Sequence, residues 1–395
     1  MTREELDILL KSEVQEAIGK NIERDPLQVA LDGRVPHARE VATQIKYLQR
    51  ARKKLPRLYA ACGIIPARAF EQSSSEECAA AKRIEGDSLL DLTCGLGMDA
   101  AAMASRFRRV VALERDEVLA AVTRENMRRM GIENVEVVNA SAEEYLASTA
   151  ERFDWVYADP DRRTAEGQRV FRLEECSPNM LALMPQIERL TSRVAIKNSP
   201  LFDVEEAFRL FPRASVEVVS LGDECKEVMI YLDGGTPTLS ALAIGRGRVD
   251  IQRDALADVI PPQEFAAEEY RYLVIPDVAL QKARIVAQAL QGKADVWSNN
   301  SFGFARELPE GVVGRIEPIE RIEPFDVKSL KRELKGKGVD IILRDFPMGV
   351  DELRKRCAAR SGNSKKIALT RIGARATLSF LINNHTTLSQ RCLRS

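Results

Sequence analysis

Histidine is almost missing from this chain of 395 residues: His37 and His385 are the only two. The seven cysteines (Cys62, Cys78, Cys94, Cys176, Cys225, Cys357 and Cys392) are scattered, odd in number and form no C-x-x-C pair. So thin a ligand set excludes the usual zinc spacings, and no metal is expected. Reduced thiols in a cytoplasm fit the same pattern. Long apolar runs are lacking as well. None approaches the roughly 18–20 residues that cross a bilayer, so no membrane partner is expected. Met1-Thr2-Arg3-Glu4-Glu5 reads as the start of a charged helix rather than a secretory leader. Internal repeats and low-complexity tracts are also missing.

Net charge is lacking too, with 59 Lys/Arg against 59 Asp/Glu, but the balance hides a polarity. Residues 321–395 carry 17 Lys/Arg against 7 Asp/Glu, and a short basic run, KYLQRARKKLPR, spans Lys46 to Arg57. Such asymmetry suggests a face for nucleic acid, since cations at phosphates release counterions and give sequence-independent affinity. A solvated surface with scattered charge explains it equally well. At 45% hydrophobic and 30% charged residues the composition is that of a globular protein, long enough for two or three domains.

What is present is strongly patterned. Leu89-Leu90-Asp91-Leu92 reads as a buried strand, and Thr93-Cys94-Gly95-Leu96-Gly97-Met98-Asp99 as a glycine turn that opens a helix. A second strand ends in Glu114 and a third, Trp155 to Ala158, ends in Asp159-Pro160. Gly95 and Gly97 lack the Cβ atoms that would hold the backbone away from a nucleoside. Ligands of an open parallel sheet collect beyond the carboxyl ends of its strands, where Asp91, Glu114 and Asp159 fall. A carboxylate such as Glu114 can accept hydrogen bonds from both hydroxyls of a ribose. Gly95 to Ala100 also satisfies the G-x-G-x-x-G/A pattern of dinucleotide folds. Against that rival, Asp99 stands where a helix N-terminus would receive a pyrophosphate, and two anions repel.

Around this centre the periodicity predicts helices at Glu4–Ile18, Val41–Arg52 and Ser75–Arg83. Glu71 to Glu77 offers N-cap residues for the last helix, and its hydroxyls could also touch a ligand. Strands are expected at Ser88–Leu92, Val110–Leu113, Val135–Asn139, Trp155–Ala158, Arg193–Lys197, Val216–Ser220 and Glu227–Leu232, the last two as a hairpin. Asp233-Gly234-Gly235-Thr236-Pro237 punctuates the chain. Beyond it come two exposed strands, a linker around Pro261-Pro262, and a second α/β body. That body has strands at Tyr272–Pro276, Ala294–Trp297, Gly314–Pro324, Asp340–Arg344 and Lys366–Arg371. Its helices are expected at Ala279–Leu290, Val327–Lys335 and Asp351–Ala359.

Strand-end glycines, a strand-end acid and a strand-end Asp-Pro, in that order, resemble the class I S-adenosylmethionine-dependent methyltransferases. Further words narrow the resemblance to members with a C-terminal THUMP-like domain. These words are Lys54-Leu55-Pro56, Glu71-Gln72-x-Ser74-Ser75, Asp159-Pro160-x-Arg162-Arg163, Leu173-Glu174-x-Cys176-x-Pro178, Lys197-x-Ser199-Pro200, Glu224-Cys225-Lys226-Glu227 and Arg344-Asp345-Phe346-Pro347. The resemblance implies an α/β protein of four parts: a helical region (1–84), a Rossmann-like seven-stranded methyltransferase domain (85–235), a linker with a ferredoxin-like unit (236–318) and a basic, smaller α+β THUMP-like region (319–395). It implies S-adenosylmethionine as cofactor and RNA as partner.

On this reading Asp91 meets the amino group of the methionine moiety, and Ser141-Ala142 lies where the adenine would. Thr93, Gly95, Gly97, Asp99, Glu114, Arg115 and Asp159 complete the expected cofactor site. Asp159 and Pro160 face the acceptor, and Arg162, Arg163 and Lys197 position or neutralise it. Amine-methylating enzymes usually place an aromatic residue after Asn/Asp-Pro-Pro, to stack on a flipped base. Here Asp161-Arg162-Arg163 follows Pro160. The two arginines could hold a phosphate or stack on a base, or simply pair with Asp161, Glu174 or Glu175. Carbon methylation would need a cysteine of lowered pKa, for which Cys176 and Cys225, in expected loops, are candidates; both could also be structural. Cys94 is expected to pack as a small hydrophobe. The expected activity is methyl transfer to an RNA base. An inactive RNA-binding scaffold and a methyltransferase for a protein or metabolite are the alternatives.

Overall fold

The computed structural model describes residues 1–161, 172–373 and 376–382, the last segment by its backbone alone. The strands, in chain order, are β1 (Gly86–Asp91), β2 (Phe107–Leu113), β3 (Val135–Val138), β4 (Trp155–Ala158), β5 (Val194–Asn198), β6 (Ser215–Leu221), β7 (Glu224–Leu232), β8 (Thr238–Ala243) and β9 (Gly247–Gln252). After them come β10 (Tyr272–Pro276), β11 (Asp295–Val296), β12 (Gly303–Ala305), β13 (Gly314–Pro324), β14 (Gly338–Leu343), β15 (Arg360–Ser361), β16 (Lys365–Ile372) and β17 (Ala376–Ile382). The chain divides into two compact units, residues 1–215 with 228–235, and residues 216–227 with 236–395.

In the first unit β1 is flanked by β2 and β4, all parallel; β3 continues beyond β2 and β5 beyond β4. Val228–Leu232 of β7 runs antiparallel to β5. This is the α/β arrangement expected, with the chain reversing direction beside β1, where such sheets bind ligands. The strands are buried on both faces, as the four buried residues of β4 illustrate. β6 is followed, after Gly222-Asp223, by β7, and residues 216–227 are counted with the second unit.

The N-terminal helices pack onto this sheet unit. Helix Ala38–Lys54 buries Val41, Ile45 and Leu48, and the same core includes Leu96 and Met98 of the glycine turn. Burying each such side chain contributes about 1.5–3 kcal/mol. One helix expected over Glu4–Ile18 is two, Arg3–Leu9 and Ser12–Asn21. The buried positions explain the break. Leu6 and Leu9 are followed by Val14, and five residues rotate a continuous helix about 140° off the apolar face.

In the second unit β6 pairs with β8 in parallel and β8 with β9 antiparallel. A separate sheet has the order β11-β12-β10-β13-β17-β16-β14-β15. Helices Val327–Leu334 and Val350–Arg356 bury Leu330, Leu334 and Leu353 with Ile367 and Leu369 of β16. The expected helix Ala279–Leu290 is broken into Val278–Lys282 and Val286–Ala289 because Arg284 takes a left-handed conformation (φ 57°). β12, β15 and β17 were not foreseen, and β11 holds only Asp295 and Val296 of the strand expected through Trp297. Among the described residues no helix is long and apolar enough to cross a membrane, and no cluster of metal-binding side chains occurs.

Candidate active site

β1 ends at Asp91, β2 runs out into Glu114 and β4 into Asp159, so three adjacent parallel strands each deliver a carboxylate to the same edge of the sheet. The turn after β1 is tied to both neighbours. Leu92 N–H donates to the Tyr157 carbonyl (2.9 Å) and Cys94 N–H to the Leu113 carbonyl (2.8 Å). The Asp159 N–H donates to Thr93 Oγ1 (2.6 Å), which explains the threonine inside the turn. Gly97 is left-handed (φ 82°), and a Cβ there would come within 2.6 Å of Met127 Cε and 2.7 Å of Thr123 Cγ2. Gly95 is also left-handed (φ 55°), but nothing lies within 4 Å of where its Cβ would be. One glycine is needed for packing against helix Glu117–Arg129; the other keeps the turn low beneath open space.

That space is a cavity of about 660 Å³, within the range of small-molecule sites. Its wall contains Thr93, Gly95, Gly97, Asp99, Glu114, Arg115, Ser141, Ala142, Asp159 and Pro160, so most of the residues expected to bind cofactor or acceptor meet in one place. Glu114 accepts the Gly95 N–H on Oε2 (3.0 Å) and the Asp116 N–H on Oε1 (2.8 Å). Burial raises its pKa, opposed by those two N–H groups. A carboxylate offers about four acceptor positions, which leaves Glu114 able to receive a vicinal diol. Ser141 caps helix Ala142–Ser148 with a reciprocal bond to Glu144, so its hydroxyl is already engaged while its backbone borders the cavity.

Asp91 lies behind the wall rather than in it. It is 1% exposed, and burial, opposed by the Thr93 N–H on Oδ1 (2.9 Å) and reinforced by Asp99, Asp159 and Glu114, pushes its pKa up to about 8. Asp99 has the opposite fate. Burial alone would raise its pKa, but the Lys82 and Lys197 ammoniums, together with hydrogen bonds from Lys82 and Tyr157, hold it well below the usual carboxylate range. Lys82 Nζ is 2.9 Å from Oδ1, Lys197 Nζ is 3.6 Å from Oδ2, and Tyr157 Oη and Ser74 Oγ donate to Oδ2 at 2.8 and 3.0 Å. The repulsion expected between Asp99 and an anion is therefore largely offset by two cations. It no longer discriminates against a pyrophosphate.

Lys197 also reaches Asp159 Oδ2 (2.5 Å) and Ser74 Oγ (2.9 Å). Its ammonium is therefore paired with carboxylates of the protein. In the Ser73-Ser74-Ser75 loop the two readings divide. Ser75 caps helix Glu76–Ala80, while Ser73 and Ser74 line the cavity. Lys82 and Tyr157 went unforeseen because nothing distinguishes a buried lysine after an alanine run, or a tyrosine in an apolar strand, by spacing. Arg162 and Arg163 lie outside the described residues. Cys176 is buried and donates to the Arg172 carbonyl (3.3 Å), and Cys225 is a strand residue of β7 rather than a loop residue. Burial pushes the Cys225 thiol up to about 11. Neither cysteine lines the cavity.

The family described as Methyltransferase domain matches residues 89–171, and that described as THUMP domain-like matches residues 314–382. Over 302 residues the chain is 28% identical to an S-adenosylmethionine-dependent methyltransferase of Mycobacterium tuberculosis, itself described as uncharacterized; the match covers 74% of this chain and 80% of that one. The ribosomal RNA small subunit methyltransferase J of Francisella philomiragia is 36% identical over 100 residues, covering 22% of this chain and 42% of its own length. Among solved structures, a candidate methyltransferase of Porphyromonas gingivalis W83 superposes with a TM-score of 0.81 at 23% identity. That match covers 98% of this chain and 100% of the other, a likeness of fold.

Proposed function

Because the chain is a class I S-adenosylmethionine-dependent methyltransferase with a C-terminal THUMP-like domain, we propose that its acceptor is a base of RNA. The observation that carries this reading is the placement of Asp159 and Pro160 in the wall of the same cavity as Gly95 and Glu114. A cofactor held by the second pair has the acceptor side within one enclosure. The THUMP-like match, the ribosomal RNA methyltransferase among the relatives and the basic C-terminal composition support RNA over other acceptors. In this reading residues 1–84 brace the site, 85–235 transfer the methyl group, 236–318 connect and 319–395 tether the RNA, in the cytoplasm.

Bound S-adenosylmethionine supplies a methyl group already activated on a sulfonium, so the protein's task is alignment. Gly95 lets the backbone approach, Glu114 takes the ribose hydroxyls, and Arg115, Ser141 and Ala142 border the base. Asp91 would give up its proton to pair with the amino group. On the acceptor side, Lys197 pairs with the Asp159 carboxylate and orients it. Asp159 and the Pro160 carbonyl then accept hydrogen bonds from the attacking group, and Asp159 takes the proton that leaves it. Arg162 and Arg163 would hold a neighbouring phosphate or stack on a base.

The test is tritium transfer from labelled S-adenosylmethionine to total RNA by the wild type and Asp159→Ala. Label in one RNA size class that is lost with the variant is expected. Label in protein or small molecules, or none despite cofactor binding, would overturn the RNA assignment.

A further inference from the structure

Helix Ala38–Lys54 carries six Lys/Arg and a single acid, Glu40. At 100° per residue, Arg39, Lys46, Arg50, Lys53 and Lys54 fall within a sector of about 100°, opposite the buried stripe of Val41, Ile45 and Leu48. Exposed helix faces ordinarily mix signs, with acids placed four residues from bases. The helix dipole accounts for Lys53 and Lys54 in the last turn, but it disfavours Arg39 in the first turn and is indifferent to Lys46 and Arg50. Arg39, Lys46 and Lys53 are exposed and have no ion-pair partner among the described residues.

The stripe leads to the cavity. Arg50 Nη1 is 2.6 Å from Glu71 Oε1, and Lys54 and Lys46 also bear on that carboxylate. Glu71 stands in the cavity wall with Arg68 and Gln72. Three cations thus gather about one acid at the rim. Aromatic rings lie among them: the Arg50 guanidinium is 5.4 Å from the Tyr47 ring and 5.0 Å from that of Phe70, and Lys54 Nζ is 4.7 Å from Phe70. Phe70 is buried and Tyr47 half-buried, so the rings brace the cations, and a cationic track of this kind holds nucleic-acid phosphates without reading their sequence.

We propose that this helix face binds the single-stranded RNA segment beside the nucleotide being methylated, its phosphates on Arg39, Lys46 and Lys53. The inference rests on RNA being the acceptor, and it assigns the track to a region that neither family match covers.

The experiment measures anisotropy of labelled oligo(U), about 20 nucleotides long, on the full chain across a salt series, for wild type and Arg39→Glu/Lys46→Glu/Lys53→Glu. Methyl transfer to total RNA and cofactor affinity are measured with the same protein preparations. The expected result is at least tenfold weaker RNA binding, a log–log salt slope shallower by about 2, and unchanged cofactor affinity, which shows that the site is folded. RNA affinity within twofold of wild type would overturn the track even if methyl transfer to RNA is seen. Stripe-dependent RNA binding without any methyl transfer would uphold the track and count against RNA as the acceptor. Poly-L-glutamate binding as tightly as RNA would replace the RNA strand by an acidic protein surface, and so overturn the proposal.

Discussion

The Lys197 ammonium lies 2.5 Å from the Asp159 carboxylate and 3.6 Å from that of Asp99. A single buried cation therefore serves both the acid that follows β4 and the acid in the first turn of the helix after the glycines. Lys82, whose side chain is fully buried, supplies the second positive charge to Asp99.

Lys197→Met should be costly in two respects. Two carboxylates would face each other with one cation left, and breaking a buried pair of this kind destabilises by about 3–5 kcal/mol. Urea unfolding measures that loss. Methyl transfer should fall on the order of 10²-fold or more, because Asp159 loses its orientation. Stability within 1 kcal/mol of wild type would contradict the pairing.

Asp91 predicts a pH dependence. Its pKa of about 8 in the fold lies above the ordinary carboxylate value. The folded state therefore binds a proton that the unfolded state has released, and this group's contribution to stability is present at low pH and lost as pH rises from about 4 towards 8. Asp91→Asn, which cannot ionise, should show less of that decline in thermal melts of the free protein. Cofactor binding should release a proton near pH 7 in the wild type and not in the variant. Calorimetry in two buffers of different ionisation enthalpy reads this directly.

The two turn glycines should fail differently when changed to alanine. Gly97→Ala places a Cβ against Met127 and Thr123 at φ 82°, so overpacking of about 1–3 kcal/mol adds to the left-handed strain. Gly95→Ala meets nothing and should lose only about 1–2 kcal/mol. Its Cβ enters the cavity, however, so cofactor affinity should fall more than stability. Thermal melts with and without cofactor separate the two effects.

Cys176→Ala and Cys225→Ala should each retain turnover within threefold. A nucleophilic thiol needs a lowered pKa, whereas burial raises that of Cys225 to about 11 and Cys176 is hydrogen-bonded away from the cavity. A hundredfold loss in either, with cofactor binding intact, would restore covalent catalysis at carbon.

The parts of the fold that could be read in advance are those whose signal is local. β1, β2 and β4 each contain a short apolar run followed by a glycine turn or an acid, and their bounds differ from expectation by a few residues at most. β17 and the two-residue β15 were missed because their pairing comes from distant segments rather than from their own pattern. In the site, Gly95, Glu114 and Asp159 announce themselves by position after a strand. Lys82 does not: its importance is an ion pair with Asp99 formed only once helix Glu76–Ala80 is folded beside the turn. The charge compensation of Asp99 arises from the same kind of tertiary contact, so its charge read in isolation does not discriminate between ligands.

Leu96 and Met98 sit in the same core as Leu6, Val14, Ile45 and Leu58. The matched stretch of residues 89–171 is therefore not a portable module in this protein. Grafted elsewhere or expressed from residue 85, it would present a raw apolar face and lose the shape of its own turn. Mutations far back in the first fifty residues reach the glycine turn through this shared interior. Inheritance of the loop and of the leading helices is coupled: a substitution in one constrains which substitutions the other can accept.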